Sequence, residues 1–475
     1  MADTKAKKPA SKKAEDNEKK NAWLSYSATE KKKLEAFCED YKAFISNCKT
    51  ERECAAESIE ILKKNGYKDL DECIAKGKKL KAGDKVYKNN MGKAVAAFII
   101  GKKPVEAGML ILGAHIDSPR LDLKQVPLYE DTEQVLLDTH YYGGIKKYQW
   151  VTIPLALHGI VALKDGSVVK VNIGEDPADP VFEVTDILVH LAQQQLEKSG
   201  AKVIEGEALN VLVGSEPLKG EKKNAVKANI LKLLKDKYKI TEDDFLSAEI
   251  EVVPAGPARD LGFDRSMITG YGHDDRVCAY TSLAAMLDVT SIDRTAACLL
   301  VDKEEIGSVG ATGMHSVFFE NAVAEIINLT TDYSELKVRR ALANSCMLSS
   351  DVSAAYDPNY AEVFEKKNAA YFGKGIVYNK YTGSRGKSGS NDANAEYFAA
   401  IRRAMDKNKV AFQTAELGKV DVGGGGTIAY IMAKYNMQVI DAGVAVLCMH
   451  APWEIVSKSD VYEAYKAYVA FLKEM

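Results

Sequence analysis

Two adjacent glutamates follow a short apolar run in the second half of the chain. Ala297–Val301 contains only apolar residues and predicts a buried strand, and Glu304 and Glu305 come just after its end. Two carboxylates at the mouth of a buried strand are costly unless a cation neutralises them. One can then bind a metal ion while the other moves protons, as metal-dependent hydrolysis requires. The alternative is a solvated acidic loop, because exposed glutamate pairs are common.

Four other places carry metal-type side chains beside an apolar run or at the start of a predicted helix. They are His115, Asp274 with Asp275, Asp351 and His450. Each has an ordinary explanation when taken singly, since an aspartate can cap a helix or a turn and a histidine can simply end a strand. The joint pattern is more informative, because the chain has only seven histidines and two of them end apolar runs near acidic loops.

The residue types in this set indicate which ions it would bind. Histidine and carboxylate ligands suit zinc, cobalt or manganese, and the lack of thiolates argues against a structural zinc site. Two histidines, two aspartates and one glutamate exceed the needs of one tetrahedral site. They match two ions that share a bridging carboxylate, about 3.5–4 Å apart. Asp117, two residues after His115, is placed to hold that imidazole through its second ring nitrogen.

Strands and helices alternate around these residues. Helical spacing of apolar residues predicts one helix from Thr29, a second over Ala55–Lys64 and a third after Arg276. Further strands are predicted at the apolar runs Ala94–Ile100 and Met109–Leu112, and also at Glu325–Leu329, Ser345–Leu348 and Gln438–Met449. This alternation predicts an α/β fold, in which a mixed sheet is sandwiched by helices and functional loops follow strand ends.

A stretch of different character interrupts the alternation. From about Val126 to Pro254 the pattern favours short strands and hairpins, for example around the turn pair Asp165-Gly166. Two predicted helices lie within it, the first carrying Ile187, Leu188 and Leu191 and the second carrying Val226, Ile230, Leu233 and Leu234. We therefore predict a strand-rich domain at 126–254, inserted into a domain built from 23–125 and 255–475. Residues 1–22, with seven lysines and four acids, predict a disordered tail.

Composition excludes several classes of protein. The net charge of −3 argues against a dedicated nucleic-acid binder. No stretch approaches the roughly 18 consecutive apolar residues of a membrane helix, and the first residues lack the apolar core of a signal peptide. The eight cysteines are scattered without a CxxC pair, and Cys278, Cys298 and Cys448 sit in apolar runs. They predict reduced core residues of a cytoplasmic protein.

Longer motifs extend the pattern beyond single residues. They are GAHIDSPRLDLK (113–124), GGIKKYQW (143–150), DILVHLA (186–192), GHDDR (272–276), DKEEIGS (302–308), SSDVSAAYDPNY (349–360), SGSNDANAE (388–396) and MHAPWE (449–454). In content and order they resemble the aspartyl aminopeptidase family of dinuclear zinc aminopeptidases, especially its bacterial members. The resemblance spans nearly all of the chain after residue 25.

The resemblance implies a set of ligands for two divalent ions per subunit. Asp274 would bridge the two ions. His115 and Asp351 would complete one site, and Glu305 and His450 would complete the other. The ions would be zinc, with cobalt or manganese as alternatives.

The resemblance also implies a mechanism. Glu304 would be the general base, taking a proton from the attacking water and returning it to the leaving amine. The free α-amino group of the substrate would be held at the metal site, which makes the enzyme an aminopeptidase. The Asp274–Asp275 peptide bond would be cis, as strained sites of this kind tolerate.

Family members assemble as dimers that build a dodecamer, and the inserted domain would be the dimerisation domain. His190 matches a histidine that a neighbouring subunit inserts into the active site, and we favour this interpretation because the motif DILVHLA matches; the alternative is an ordinary histidine of an amphipathic helix. Lys380, in a basic cluster with Arg385 and Lys387, is the candidate for receiving an acidic N-terminal side chain; such a cluster is usually a solvated loop. Gly425, in the run 423–426, is a candidate for substrate contact, and the alternative there is a flexible turn.

We therefore predict a metal-dependent aminopeptidase that removes N-terminal residues, acidic or neutral, from short peptides. Two other classes stay open at the level of the sequence. A carboxypeptidase or amide deacylase of the same fold would use the same kind of ligands. A non-catalytic assembly protein would keep the fold without the chemistry, but it would have no need for the pair Glu304-Glu305.

Overall fold

The computed structural model describes residues 20–475, so residues 1–19 of the predicted tail lie outside the described part of the chain. The described residues form eleven α-helices. In chain order these are α1 Ala28–Asn47, α2 Glu51–Lys64, α3 Leu70–Ala75, α4 Gln193–Leu196, α5 Ala225–Tyr238, α6 His273–Leu287, α7 Phe318–Thr330, α8 Glu335–Ala343, α9 Ala395–Lys407, α10 Ala429–Ala433 and α11 Lys458–Glu474.

The same residues form twenty-one strands. In chain order these are β1 Lys68–Asp69, β2 Lys85–Asn90, β3 Ala94–Ile99, β4 Leu110–His115, β5 Arg120–Asp131, β6 Gln134–Tyr142, β7 Leu155–Ala162, β8 Val168–Ile173, β9 Glu183–Val184, β10 Val211–Gly214, β11 Ala248–Pro254, β12 Arg259–Leu261, β13 Met267–Gly270, β14 Ala296–Val301, β15 Cys346–Ser349, β16 Ser353–Ala354, β17 Ile376–Asn379, β18 Phe412–Thr414, β19 Gln438–Gly443, β20 Ala445–Leu447 and β21 Glu454–Ser457.

The largest sheet has nine strands in the order β1-β2-β3-β14-β4-β15-β19-β17-β18. Its centre is parallel, because β4 pairs in parallel with both β14 and β15, and β15 pairs in parallel with β19. The strands β4 and β14 are buried along their whole length. A sheet buried on both faces explains why these strands read as unbroken apolar runs rather than as alternating ones.

Helices cover both faces of the nine-stranded sheet. Alternate residues of β4 enter different cores: Leu110 and Leu112 pack with α1, α2, α6, α9 and α11, whereas Ile111 packs with α3, α7, α8 and α10. The first two helices begin at capping boxes, Ser27 with Glu30 and Thr50 with Glu53, which satisfy backbone N–H groups at the helix start. The predicted α/β fold with a sheet sandwiched by helices is confirmed.

The second sheet has seven antiparallel strands in the order β8-β7-β11-β5-β6-β10-β9. All of them come from one stretch of chain, Arg120–Pro254, and they share a separate apolar core with α5. This strand-rich unit covers the predicted insert 126–254 and begins six residues before it. A third sheet of five short strands, β12-β13-β21-β20-β16, lies beside the larger sheet.

Three local predictions were wrong. Glu325–Leu329 belongs to helix α7 rather than to a strand. The segment with Ile187, Leu188 and Leu191 contains only a 3-10 turn at Val189–Leu191, and these aliphatic side chains are about half to two-thirds exposed. The run Gln438–Met449 is divided into two strands, because β19 and β20 join different sheets.

Two smaller expectations also need correction. Cys448 is exposed, whereas Cys278 and Cys298 are buried as predicted, and all eight cysteines are free. The predicted disordered tail, residues 1–22, extends too far along the chain. Ala22 is buried, and its N–H donates to the carbonyl of Gly373 at 2.7 Å. Within residues 20–475, no helix is both long enough and apolar enough to cross a membrane.

Candidate metal centre

Three neighbouring parallel strands deliver acidic and histidine side chains to one edge of the nine-stranded sheet. His115 is the last residue of β4 and pairs in register with Val301, the last residue of β14. Glu304 and Glu305 follow β14 in a 3-10 turn, and Asp351 follows β15 on the other side of β4. Because parallel strands end at the same edge, residues far apart in the chain converge there.

The remaining two candidate ligands follow strands of the five-stranded sheet, Asp274 in the first turn of α6. Asp274 lies just beyond β13, and His450 lies between β20 and β21. The peptide bond Asp274–Asp275 is cis, as the resemblance implied. His450 has a positive φ of 66°, an uncommon backbone conformation for a non-glycine residue.

The five side chains form two groups that share Asp274. His115, Asp274 and Asp351 make one group and Asp274, Glu305 and His450 the other, with the ligand atoms of each group within 4.8 Å of one another. Nε2 of His115 lies 3.2 Å from Asp274 Oδ1, and Nε2 of His450 lies 3.3 Å from Asp274 Oδ2. The structure thus brings together all five predicted ligands, with the predicted shared aspartate between the two groups.

Both histidines are oriented as metal ligands are. The Nδ1 of His115 lies 3.0 Å from the backbone carbonyl of Asp117, and the Nδ1 of His450 lies 2.8 Å from the carbonyl of Gly144. A carbonyl only accepts, so each Nδ1 carries a proton, and each Nε2 faces the carboxylates, where its lone pair would be available to a metal ion. In addition, Oε1 of Glu305 is buried without a hydrogen-bond partner among the described residues. This donor set fits divalent ions bound by imidazole and carboxylate.

The site contains more buried negative charge than its two histidines can balance. Burial raises the pKa of both Glu305 and Asp351 well above the ordinary range, and nearby carboxylates raise it further. Burial also raises the pKa of Glu304 to about 7. Although burial alone would lower it, the pKa of His450 rises to about 10 because Asp274 and Glu305 lie beside it. A bound divalent cation would relieve this crowding.

Asp117 holds the two glutamates as well as His115. Its Oδ1 accepts a hydrogen bond from the N–H of Glu304 at 3.2 Å, and its Oδ2 accepts one from the N–H of Glu305, also at 3.2 Å. Oδ1 also lies 3.3 Å from His115 Nδ1. The predicted contact with the imidazole is therefore present, and the contacts to the two backbone amides are additional.

A cavity of about 520 Å³ opens onto the two groups. Its lining includes Glu304, which lies outside both ligand groups, and also Gly425 and Thr427. Lys380 does not line this cavity; its Nζ lies 3.2 Å from Asp392 Oδ1 and the side chain is 45% exposed. His190 is exposed on the seven-stranded unit and does not reach the cavity of its own chain.

Sequence reasoning assigned no role to Glu454, although it ends the motif MHAPWE. The side chain is 1% exposed, and its two oxygens accept hydrogen bonds from the N–H of His450 at 2.7 Å and of Asp274 at 2.9 Å. Burial raises the pKa of Glu454 to about 8. One carboxylate therefore fixes the backbone at two candidate ligands, which come from different parts of the chain. Its place four residues after His450 was the only sign of this role in the sequence.

Comparison with known proteins agrees with this site. Residues 44–472 match the peptidase M18 family, described as aminopeptidase I zinc metalloprotease. A probable M18 family aminopeptidase 1 from Clostridium acetobutylicum is 64% identical over 456 residues, covering 96% of this chain and 98% of the relative. The chain belongs to the peptidase M18 family.

Solved structures show the same relationship. The crystal structure of an M18 family aminopeptidase from Thermotoga maritima matches with a TM-score of 0.91 and 43% identity, covering 96% of this chain and 100% of that one. The S. cerevisiae mApe1 dodecamer, at 21% identity and a TM-score of 0.74 over 93% of this chain and 97% of that one, shares the fold. The protein is a metal-dependent aminopeptidase, and the carboxypeptidase, deacylase and assembly-protein alternatives are not favoured.

Replacing Glu454 should weaken metal binding. Glu454→Gln keeps the size of the side chain but offers one acceptor where two backbone N–H groups need one each. We expect metal affinity to fall by about tenfold, the lower end of the range for residues that orient ligands. Equilibrium dialysis against a chelator series measures this. The exposed Glu362→Gln is the control, and equal metal retention by both variants would contradict the assigned role.

Proposed function

We propose that this aminopeptidase removes N-terminal residues from short peptides with two divalent ions per subunit, most simply zinc. The observation that supports the proposal is the sharing of Asp274 by two ligand groups. His115 and Asp351 would hold one ion with it, and Glu305 and His450 would hold the other. When bound, such ions polarise the scissile carbonyl and lower the pKa of a nearby water.

Glu304 is the proposed general base. It borders the same cavity as the ligands, and its Oε2 lies 4.0 Å from His115 Nε2, yet it belongs to neither ligand group. Asp117 fixes its backbone, so the carboxylate can accept a proton from the attacking water and deliver it to the leaving amine. The mostly buried position of Glu304 favours proton exchange near neutral pH, because desolvation makes the carboxylate more basic.

Glu304→Gln should abolish turnover while leaving metal content unchanged. The amide cannot accept the proton, so kcat should fall by roughly a hundred- to ten-thousand-fold. Steady-state kinetics and elemental analysis of the same preparation measure the two quantities. The neighbouring Glu305→Gln is the control and should lose metal as well as activity. Retained turnover in Glu304→Gln would remove Glu304 from the role of base.

The residue accepted at the substrate N-terminus is proposed to be neutral or acidic, with Lys380 as the partner for an acidic side chain. Gly425, which borders the cavity, is proposed to contact the substrate backbone. Among the described residues that line the cavity, none is lysine or arginine. An acidic side chain would have to compete with Asp392 for Lys380.

A panel of peptides with different first residues tests this. We expect chelator-sensitive release of Leu or Met at least as fast as that of Asp or Glu, and no cleavage of N-acetylated peptides. Lys387→Met is a matched control for Lys380→Met, because both lysines pair with Asp392. A preference for Asp and Glu that only Lys380→Met removes would assign Lys380 to substrate binding. Cleavage of acetylated peptides would favour a deacylase.

We also propose a cytoplasmic homo-oligomer, in which 126–254 forms the dimerisation domain of a catalytic unit made from 23–125 and 255–475. Support comes from the exposed segment around His190, where Leu188, Val189 and Leu191 are all more than half exposed. Aliphatic side chains exposed together are typical of a contact surface. Dimers would build a dodecamer, and His190 of one subunit would enter the active site of its neighbour.

Mixed assemblies test the placement of His190. His190→Ala and Glu304→Gln should each be inactive alone. When subunits of both variants are dissociated and reassembled together, some active sites receive an intact Glu304 from one subunit and His190 from the other, so activity should return. His140→Ala, another exposed histidine of the same unit, should be active alone. Failure of well-formed mixed assemblies to regain activity would contradict a role in the neighbouring site.

A further inference from the structure

The seven-stranded unit contributes a side chain to the hydrogen-bond network of the metal centre. Tyr142 is the last residue of β6, and its hydroxyl donates a hydrogen bond to Asp117 Oδ2 at 2.9 Å. The same oxygen accepts from the N–H of Glu305, and the other oxygen of Asp117 accepts from the N–H of Glu304. The phenol is therefore one hydrogen bond away from the carboxylate that orients both glutamates.

The hydroxyl of Tyr142 is a permanent donor at this position. The residue is 8% exposed, and burial beside the negative charge of Asp117 raises the pKa of the phenol far above its ordinary value. Asp117 itself is completely buried. A buried carboxylate depends on its donors to stay ionised and correctly oriented, so the loss of one donor is felt by the groups that it holds.

Arg120 fixes the ring of Tyr142. The two residues are directly opposite each other on β5 and β6, and the guanidinium carbon lies 3.8 Å from the ring centroid. Arg120 in turn contacts Glu251 of β11 at 3.2 Å and Glu51 of α2 at 3.5 Å. These buried charges connect the seven-stranded unit to the helices of the larger domain.

The backbone after Tyr142 also touches the ligands. Gly143 has a positive φ of 76°, and a Cβ there would lie 3.3 Å from Cβ of Glu305. A Cβ on Gly144 would lie 3.4 Å from Nδ1 of His450. The carbonyl of Gly144 also lies 2.8 Å from Nδ1 of His450, so the end of β6 lies directly beside the ligand groups.

We propose that Tyr142 is a positioning residue, which acts through Asp117 to orient Glu304, Glu305 and His115 for metal binding and catalysis. The inference rests on the proposed roles of those residues. It makes the seven-stranded unit part of the catalytic machinery of its own subunit, in addition to any role in assembly. A tyrosine that only filled space in the core would act through its ring and not through its hydroxyl.

Tyr142→Phe tests the proposal, since it removes the hydroxyl and keeps the ring. In the full-length assembled protein we expect kcat to fall by about tenfold, the lower end of the range for residues that support metal ligands, with KM changed less than about threefold. Metal affinity of the apoprotein, measured by competition with a chromophoric chelator, should weaken by a similar factor. Tyr141→Phe is the matched control, because Tyr141 is the exposed neighbour on the same strand.

Values of kcat and metal affinity for Tyr142→Phe within twofold of those for Tyr141→Phe would overturn the proposal. The metal measurement needs no substrate, so it decides the role of Tyr142 even if the proposed peptidase chemistry fails. A double-mutant cycle with Asp117→Asn locates the effect. If Tyr142 acts through Asp117, Tyr142→Phe should lower kcat and metal affinity by less than about twofold in the Asp117→Asn background. Additive losses would show that Tyr142 acts independently of Asp117.

Discussion

Negative charge buried at the ends of parallel strands is the constraint on which this structure depends. Glu304, Glu305, Asp351 and Asp274 are held in one place by strands and helices that are themselves buried. Carboxylates so close together are unfavourable without positive charge, and the two histidines supply too little of it. The fold is therefore suited to binding cations, and the buried strands around β4 keep the candidate ligands together when no cation is bound.

The side chains of the candidate site are positioned largely through their backbones. Asp117 accepts hydrogen bonds from the N–H groups of Glu304 and Glu305, and Glu454 accepts them from Asp274 and His450. Two buried carboxylates thus fix four of the residues that face the cavity. Orientation by such contacts reduces the reorganisation needed when an ion or a substrate binds, which is the main advantage of a preorganised site.

The sequence predicted the residues that end strands better than the residues that support them. His115, Asp351 and the glutamate pair stand beside short apolar runs that predict strands, so the sequence places these residues at strand ends. Tyr142 and Glu454 have no such signal, because the contact of Tyr142 with Asp117 spans 25 positions and that of Glu454 with Asp274 spans 180. Their roles depend on tertiary structure, which one sequence without its fold does not specify.

The wrong secondary-structure predictions also arose because tertiary packing decides the local structure. Glu325–Leu329 is too short an apolar run to distinguish a buried strand from the buried side of a helix, and helix α7 packs it against the larger sheet. The aliphatic residues near His190 have helical spacing but no apolar surface within the described chain to cover them. A helix there would gain little from its periodicity, since most of the stability of short helices comes from packing.

The close approach of Gly143 and Gly144 to Glu305 and His450 has a consequence for how this architecture can change. If the seven-stranded unit were joined to the larger domain only through linkers, it could be deleted or replaced as a whole. Here the end of β6 contacts residues of the metal centre. A different sheet in this place would therefore need the same tyrosine, the same two glycines and the same strand register. The sequences of the two units can therefore diverge on their outer faces. Where the end of β6 contacts the metal centre, a substitution in one unit requires a matching substitution in the other.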